Sequence, residues 1–306
     1  MEKTQHLPVL LNAIITALGP KPKGQYIDGT LGAGGHSFAI LESSNPDGEV
    51  LGFDLDPQAI AIAQNRLAIF GSRMHIVNAS YTSMDAEMSK LGWQNVDGIL
   101  LDLGVSSMQL NTPGRGFSFL QSGPLDMRFS SNTGQTAADL INTLPEEQLA
   151  NIIFTYGEDR LSRKIARLII NSRPIQDTEE LANLILNNIG KKERIHPATR
   201  TFQALRIAVN RELDSVESVL PTAIKILKPG GRLAVISFHS LEDRLVKDYF
   251  RLESTDCICP PRQPICTCGH KASVKMVTHK PIVADELEVQ NNIRSRSAKL
   301  RIVEKL

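Results

Sequence analysis

A glycine-rich turn near the start of the chain is the segment best suited to hold a small ligand. An apolar run, Tyr26-Ile27-Asp28, leads into Gly29-Thr30-Leu31-Gly32-Ala33-Gly34-Gly35-His36, in which four glycines fall within seven residues. Glycines cost chain entropy and pack nothing, so positive φ angles and a ligand lying against bare backbone explain them best. The spacing differs from the Gly-x-Gly-x-x-Gly fingerprint of dinucleotide-binding proteins, and it therefore favours a different adenosine-bearing cofactor.

Three polar side chains at the predicted ends of strands could act on that cofactor or on its substrate. Asp54 ends a predicted second strand 20 residues after Gly34, about where a carboxylate accepts hydrogen bonds from a ribose in this architecture. Asp102 ends a predicted fourth strand, and His239 follows a predicted fifth. Ligands of open α/β sheets bind at the carboxyl edge of the strands. Asp102 is therefore a candidate catalytic residue, and His239 a candidate substrate contact or proton acceptor.

The competing role for such residues is to cap a helix. Asp56 precedes Pro57, and proline favours the first position of a helix, so Asp56 is the better cap and Asp54 stays available for a ligand. Ser240 and Asp243 have the spacing of a capping box, so Ser240 is predicted to be structural.

These residues would suit methyl transfer from S-adenosylmethionine (SAM). The methyl group leaves by in-line displacement, so the enzyme mainly has to position a nucleophile, exclude water and orient a lone pair. No metal is required, and none is assigned. In this view the turn at residues 32–35 meets the methionine portion, Asp54 the ribose and Tyr81 the adenine. Asp102 faces the acceptor amine, where a hydrogen bond pulls the nitrogen lone pair out of conjugation.

Segments in the middle of the chain resemble an acceptor pocket for a nucleobase. Residues 115–119 and 123–128 combine loop-forming glycine and proline with side chains that could stack on bases or bind phosphate. Residues 155–211 contain eleven Lys or Arg and six Asp or Glu, an excess of 11 − 6 = +5 in a chain of net charge +1. Such an excess is typical of RNA binding, and also of a solvated helical face. The candidate substrate contacts are Arg115, Phe117, Asp126, Arg128, Arg200 and Arg206.

All four cysteines fall within twelve residues, at Cys257, Cys259, Cys266 and Cys268. Two Cys-x-Cys pairs could supply four thiolates to zinc, although structural zinc sites more often use Cys-x2-Cys or wider spacing. The alternative is a reduced, proline-stiffened surface loop. A disulfide framework does not suit a chain of this size without a secretion signal.

The apolar runs predict the strands that position these residues. Five strands are expected at residues 26–28, 49–54, 74–77, 96–102 and 232–238, and a closing hairpin at 275–278 and 298–304. Such a hairpin is the variation of the doubly wound fold found in SAM-dependent methyltransferases. Asp102 and Arg232 are 130 residues apart, far more than one crossover helix needs, and the periodicity between them is helical.

The predicted fold class is α/β, a Rossmann-like class I SAM-dependent methyltransferase sheet of seven mostly parallel strands with an inserted all-helical subdomain. The predicted domains are a methyltransferase core at 1–108 and 200–306, interrupted by a substrate-recognition subdomain at 109–199. The 306 residues, 42% of them hydrophobic, can fill one large or two ordinary domains. The polar N-terminus and the lack of a long apolar run predict a cytoplasmic protein without a membrane anchor.

Seven motifs occur in order along nearly the whole chain, from about His6 to Arg301. They are Asp28–His36, Asp102–Ser107, Arg115–Phe119, Gly123–Arg128, His196–Gln203, Ser237–Arg244 and Arg294–Arg301. Together they resemble the RsmH (MraW) family, bacterial SAM-dependent methyltransferases of small-subunit ribosomal RNA. The resemblance implies methylation of the exocyclic N4 of a cytosine in the decoding region of 16S rRNA, within the assembled small ribosomal subunit.

The resemblance also implies the cofactor residues. By position these are Gly34, Gly35, His36, Asp54, Tyr81, Asp102 and Gln109. Tyr81 replaces the phenylalanine expected there, which keeps the ring, and Ile293 stands where the family often has proline. Amino-methyltransferases of DNA commonly carry Asp/Asn-Pro-Pro-Tyr after the fourth strand, whereas this chain has Asp102-Leu103-Gly104-Val105. A different set of groups must therefore hold the amine.

Two other functions fit parts of the sequence. An RNA-binding assembly or regulatory protein could use SAM only as a sensed ligand, but it would not need an acid and a histidine converging on the cofactor. An NAD-dependent oxidoreductase is disfavoured by the glycine spacing and by the closing hairpin. A monomer and a homodimer are both compatible with the sequence.

Overall fold

The chain divides into two compact units. A computed structural model describes residues 8–130, 134–190, 195–260, 263 and 265–306. The first unit comprises Met1–Gly104 and Leu213–Leu306, and the second comprises Val105–Glu212. Each unit has its own hydrophobic core within these bounds.

A seven-stranded sheet forms the centre of the first unit. Its strands are β1 (Gln25–Asp28), β2 (Glu49–Asp54), β3 (Met74–Asn78), β4 (Val96–Asp102), β5 (Leu227–Ser237), β6 (Val274–Met276) and β7 (Lys299–Lys305). The order across the sheet is β3-β2-β1-β4-β5-β7-β6. The first five strands are parallel, and β7 runs antiparallel to both β5 and β6. The predicted fold class, including the closing hairpin, is confirmed.

Helices of the first unit cover the sheet and create two apolar layers. Their bounds are α1 (Leu11–Leu18), α2 (Gly35–Ser43), α3 (Pro57–Leu67), α4 (Met84–Lys90), α11 (Glu212–Ile226), α12 (Ser240–Glu253) and α13 (Glu286–Asn291). In β4, Ile99 and Leu101 belong to one buried cluster and Leu100 to the other. Alternate side chains of this strand therefore enter opposite layers, which explains why Ile99, Leu100 and Leu101 are all apolar.

Strand β5 begins five residues earlier than predicted. The sequence indicated a helix end and a Gly-Gly turn before Arg232, but the strand starts at Leu227. Its pairing with β4 shifts between Val96, which faces Leu227, and Gly98, which faces Arg232. Gly230 takes a φ of 79° in the extra segment, so the glycine forms a bulge inside the strand rather than a turn before it.

The second unit is helical. It contains α5 (Ser107–Asn111), α6 (Ala137–Thr143), α7 (Glu146–Gly157), α8 (Ser162–Asn171), α9 (Thr178–Ile189) and α10 (Thr199–Asn210). Its bounds differ from the predicted 109–199, because α10 packs with this unit. A Cβ on Gly157 of α7 would lie 2.7 Å from the carbonyl oxygen of Arg200 in α10, so the two backbones approach closely. The substrate-recognition role of the segment stays a prediction.

Within the described ranges, no helix has both the length and the apolar character needed to cross a membrane. The predicted cytoplasmic location stays a prediction.

Candidate active site

The glycine turn joins β1 to α2 at the carboxyl edge of the sheet. Gly32 and Gly34 have φ angles of 51° and 76°, in the left-handed region that favours glycine. A Cβ on Gly34 would lie 2.8 Å from Cδ1 of Leu67, and one on Gly35 would lie 2.5 Å from Cγ of Pro8. The turn therefore requires glycine for its backbone conformation and for its close packing. A Cβ on Gly32 would meet only the Thr30 carbonyl, 4.0 Å away, which leaves room for a ligand against that backbone.

Asp54, the last residue of β2, fixes the shape of this turn. Its Oδ2 accepts a hydrogen bond of 2.8 Å from the Gly32 N–H, and its Oδ1 accepts one of 2.8 Å from the Asp56 N–H. Burial raises the pKa of Asp54 to about 6, although these two backbone donors oppose the rise. Asp56 is the N-cap of α3 and accepts from the Gln58 N–H, as predicted. Each Asp54 oxygen has further acceptor capacity, so the carboxylate can also take a ribose hydroxyl.

Tyr81 follows β3 and lies beside the glycine turn. Its side chain is half-buried and packs against the core layer that includes Met84 and Leu101. A Cβ on Gly29 would lie 3.0 Å from the Tyr81 Cβ, so the aromatic residue stands directly over the first glycine. This position suits a ring that borders a cofactor, and its adenine contact stays a prediction.

Asp102, the last residue of β4, lies at the same edge. Its side chain is 23% exposed, and its Oδ2 lies 3.8 Å from Nδ1 of His36 in α2. Its Oδ1 is buried, and no hydrogen-bond partner reaches that atom from the part of the chain that the structure describes. Because buried acceptors are nearly always paired, this oxygen is a strong candidate to receive a donor from a ligand.

His36 bears on the protonation of Asp102. Its Nε2 lies 2.9 Å from the carbonyl oxygen of Val9, which can only accept, so Nε2 carries a proton. The other ring nitrogen, Nδ1, is the one that faces Asp102. Burial raises the pKa of the Asp102 carboxyl to about 6, while His36 lowers it and Asp28 and Glu242 add to the rise. The site therefore holds a carboxylate that is charged at neutral pH but easily protonated.

The raised pKa predicts a pH-dependent stability difference for Asp102→Asn. A carboxyl that binds a proton more tightly when folded stabilises the protein below its unfolded pKa, and this contribution is lost as the pH rises to about 6. Two pKa units correspond to about 3 kcal/mol. Relative to wild type, the free energy of unfolding of Asp102→Asn should therefore rise by up to about 3 kcal/mol between about pH 4 and about pH 7, measured by urea unfolding. A gap between the two proteins that does not change with pH would contradict the raised pKa.

His239 is the N-cap of α12, which corrects the prediction that Ser240 caps this helix. The Glu242 N–H donates to Nδ1 of His239 at 3.4 Å, and the His239 N–H donates to Oε2 of Glu242 at 3.3 Å. Nδ1 therefore acts as an acceptor and Nε2 carries the proton. This buried Nε2 lies 3.2 Å from Oε1 of Glu242 but makes no hydrogen bond to any described residue. In this tautomer the ring has no free lone pair. The arrangement favours the substrate-contact role of His239 over proton acceptance.

Gln109, the remaining predicted cofactor residue, belongs to the second unit. It lies in α5 and is buried. Its Oε1 accepts from the Ser106 N–H at 2.9 Å, and its own N–H donates to the Ser106 hydroxyl at 3.2 Å. The two residues form a capping box, so one role of Gln109 is to begin the helix.

Arg115 and Phe117 have structural roles in the second unit. Nη2 of Arg115 donates to the carbonyl oxygens of Arg128 and Phe129, at 2.9 Å each. The Phe117 ring is 8% exposed and stacks on Phe129, with ring centroids 5.7 Å apart. These contacts join the two predicted nucleobase motifs into one folded loop. Phe117 is therefore part of the core rather than an open stacking platform.

Asp126 and Arg128 form a bidentate ion pair. The guanidinium donates to Oδ1 and Oδ2 of Asp126 at 2.9 and 2.7 Å. Burial works to raise the pKa of Asp126, but the hydrogen bonds from Arg128 hold it below its usual value. Met127 between them has a φ of 61°, a strained conformation that this loop maintains. The pair shapes the loop and leaves little net charge to attract phosphate.

Arg206 and Arg200 lie on α10 but differ in their surroundings. Arg206 donates to both carboxylate oxygens of Glu212, at 2.8 and 2.9 Å, and the two side chains are only 16% and 6% exposed. Arg200 lines a cavity of about 430 Å³ with Glu158, Asp159, Arg160 and Leu161. Arg200 therefore fits a role in binding better than Arg206 does.

Sequence reasoning missed two residues that organise the first unit's site. Thr30 accepts from the Asp102 N–H through its hydroxyl at 2.6 Å, which ties β4 to the glycine turn. The buried carboxylate of Asp28 accepts from the Ser37 hydroxyl at 2.7 Å and from the Thr30 N–H at 3.1 Å. Burial raises the pKa of Asp28. The sequence signal for Asp28 was an acidic residue at the end of an apolar strand, directly before the glycine turn.

Comparison with known proteins gives a match along the whole chain. The model of the MraW methylase family matches residues 3–306. Three relatives, from Citrifermentans bemidjiense, Geobacter sulfurreducens and Dehalococcoides mccartyi, are each named ribosomal RNA small subunit methyltransferase H. They are 51%, 51% and 50% identical over 100%, 98% and 100% of this chain, and the matches span 100%, 99% and 88% of their own lengths. The predicted family is thereby confirmed, and with it the predicted cofactor, S-adenosylmethionine: the chain belongs to the MraW methylase family.

Proposed function

We propose that the chain transfers a methyl group from SAM to the exocyclic N4 of a cytosine in the decoding region of small-subunit ribosomal RNA. The name of the relatives, ribosomal RNA small subunit methyltransferase H, supports the class of substrate. The observation that carries the amine chemistry is the buried Oδ1 of Asp102, which has no hydrogen-bond partner among the described residues.

The residues of the first unit fit the cofactor. SAM supplies an electrophilic methyl carbon on a sulfonium, and the enzyme has to orient it and exclude water. The open backbone at Gly32 and the acceptor capacity of Asp54 suit an adenosine-bearing ligand. A neutral Asp54 would bind a ribose diol more weakly than a carboxylate, so its pKa of about 6 favours cofactor binding above that pH.

Asp102 can activate the acceptor amine for methyl transfer. The N4 lone pair of cytosine is conjugated with the ring, so the amine is a poor nucleophile. A carboxylate that accepts a hydrogen bond from one N4–H rotates the lone pair towards the methyl carbon. With SAM bound, the N–C bond would form as the C–S bond breaks, the sulfonium would leave as a thioether, and the nitrogen would lose a proton. With a pKa of about 6, Asp102 can hold that proton before it passes to water.

His239 would act as a donor in the same reaction. Because Nδ1 accepts a backbone N–H, the ring offers Nε2–H, which suits an acceptor atom such as a base carbonyl or ring nitrogen. We therefore assign His239 to orienting the base and Asp102 to the amine.

The helical second unit would supply the RNA-binding surface. Arg160 and three residues of α8, Arg163, Lys164 and Arg167, are exposed and lie close together in sequence. Such a row of cations can contact successive phosphates, and binding through it should weaken steeply with salt. Of the residues predicted from the sequence, Arg200 is the one we keep as a direct contact, while Arg115, Phe117, Asp126, Arg128 and Arg206 would act by shaping this unit.

The test uses small ribosomal subunits from cells that lack the gene. Incubation with the purified protein and labelled SAM is expected to place the label on N4 of one decoding-region cytosine, identified by nuclease digestion and mass mapping. Protein-free rRNA from the same cells serves as the matched substrate, and we expect it to accept much less label. Methylation at carbon 5 or at another base would contradict the proposed amine chemistry. Tight RNA binding without any incorporation would favour a SAM-sensing protein.

A further inference from the structure

The four cysteines of the first unit come together in the loop between α12 and β6. The sulfur atoms of Cys257, Cys259, Cys266 and Cys268 all lie within 4.8 Å of one another. The residues of this loop outside the described part of the chain are 261, 262 and 264. The loop contains none of the residues assigned above to methyl transfer, and that reaction leaves it without a role.

We propose that these four thiolates bind one zinc ion in a tetrahedral structural site. Zinc–thiolate bonds of about 2.3 Å in a tetrahedron place neighbouring sulfurs about 3.8 Å apart. The measured Sγ–Sγ distances fall around this value: 3.5 Å from Cys257 to Cys266, 4.0 Å from Cys259 to Cys266, 3.5 Å from Cys266 to Cys268 and 3.9 Å from Cys268 to Cys257. The short Cys-x-Cys spacing thus still permits a four-sulfur cage.

Disulfides explain the cluster less well. A disulfide joins two sulfurs about 2.05 Å apart and turns away from other thiols. Here the four cysteines are free, and Cys266 has three sulfur neighbours at 3.5–4.0 Å. Mutual approach of four thiols without bonds between them is the arrangement of a metal site. The Thr267 N–H also donates to Sγ of Cys259 at 3.5 Å, a contact that stabilises sulfur as a thiolate.

The loop has few buried apolar side chains, so a metal ion that joins its four cysteines would stabilise it. Its two isoleucines, Ile258 and Ile265, are 47% and 75% exposed. Its ends are held by hydrogen bonds, from the Ala272 N–H to Asp256 at 3.2 Å and from the Ser273 N–H to the Glu253 carbonyl at 2.8 Å. Between these anchors, no large buried side chain is found in the described residues. A bound zinc ion would supply the missing folding energy.

The experiment measures metal in the full-length protein, purified under reducing conditions without added chelator. We expect about one zinc ion per chain by mass spectrometry of the metals. The double variant Cys257→Ser/Cys266→Ser should lose nearly all of it. Ile265→Ser introduces the same side chain at an exposed position of the same loop and should keep the zinc. In the wild type, the four cysteines should resist alkylation until a chelator is added.

Two results would overturn the proposal. One is wild-type protein that contains no zinc and takes up no more added zinc than the double variant does. The other is iron or a pair of disulfides in place of zinc, found by metal analysis and intact mass. Neither readout depends on methyl transfer, so a failed substrate assignment would leave this test unaffected.

Discussion

Replacing Asp102 with asparagine is expected to lower the rate of methyl transfer by at least about 100-fold, while the protein stays folded. The amide has the size of the carboxyl group, so packing at the end of β4 is preserved. It is a weaker hydrogen-bond acceptor than a carboxylate and cannot hold the departing proton. If the amide turns its nitrogen towards the acceptor amine, it also repels the N4–H. The loss should appear in kcat, because Asp102 is proposed to act on the amine rather than on cofactor affinity.

The measurement is single-turnover incorporation of labelled methyl into small ribosomal subunits, with SAM binding followed separately by calorimetry. Asp85→Asn is the matched control, because Asp85 belongs to the same unit and its side chain is exposed on α4. That variant should retain wild-type rates. Turnover by Asp102→Asn at the rate of the control would remove Asp102 from the mechanism.

The proposed role of Asp102 also predicts that the methyl-transfer rate of the wild type depends on pH. Below about pH 6 the Asp102 carboxyl takes a proton and can no longer accept from the amine, so the single-turnover rate should fall about tenfold per pH unit. The residual rate of Asp102→Asn should lack this slope. Saturating SAM is needed in both cases, because Asp54 has a similarly raised pKa and its protonation would weaken cofactor binding.

The sheet could be predicted because its strands carry their own signals. Ile99, Leu100 and Leu101 form an apolar run that ends in Asp102, which is what a strand buried on both faces requires. The same holds for β2 with Asp54. The bulge in β5 could not be predicted in the same way, since Pro229-Gly230-Gly231 fits a turn as well as it fits a strand interrupted by a positive φ. Only the pairing of Leu227 with Val96 decides between the two.

Whether the role of a site residue could be predicted depends on whether its interacting partner is close to it in sequence. Asp56 was recognised as a cap because the proline that follows it is a strong positional signal. His239 was missed as a cap, because a histidine ring can accept a backbone N–H but seldom serves in this role, and Ser240 beside it has the preferred side chain. The ion pair of Arg206 could not be predicted for a related reason. A basic residue in a basic segment suggests RNA, and its pairing with Glu212 depends on a helix boundary that the pattern does not mark.

The ion pair between Arg206 and Glu212 predicts a large effect on stability. Arg206→Met should destabilise the protein by about 3 kcal/mol, because it breaks a bidentate ion pair in which the Glu212 side chain is only 6% exposed. The free energy of unfolding by urea measures this loss. Arg163→Met, on the exposed face of α8, should change stability by less than about 0.5 kcal/mol. RNA affinity should show the opposite order: Arg163→Met should weaken binding, and Arg206→Met should not.

For Arg163→Met we expect weaker binding to small ribosomal subunits and a shallower dependence on salt, since one phosphate contact is lost. For Arg206→Met, assayed well below its unfolding transition, affinity and salt dependence should stay at the wild-type values. Adding Glu212→Gln to Arg206→Met should cost less than the sum of the two single changes, because both remove the same ion pair. Additive losses in stability, together with a reduced salt slope for Arg206→Met, would return Arg206 to the RNA-binding surface and give the ion pair a minor role.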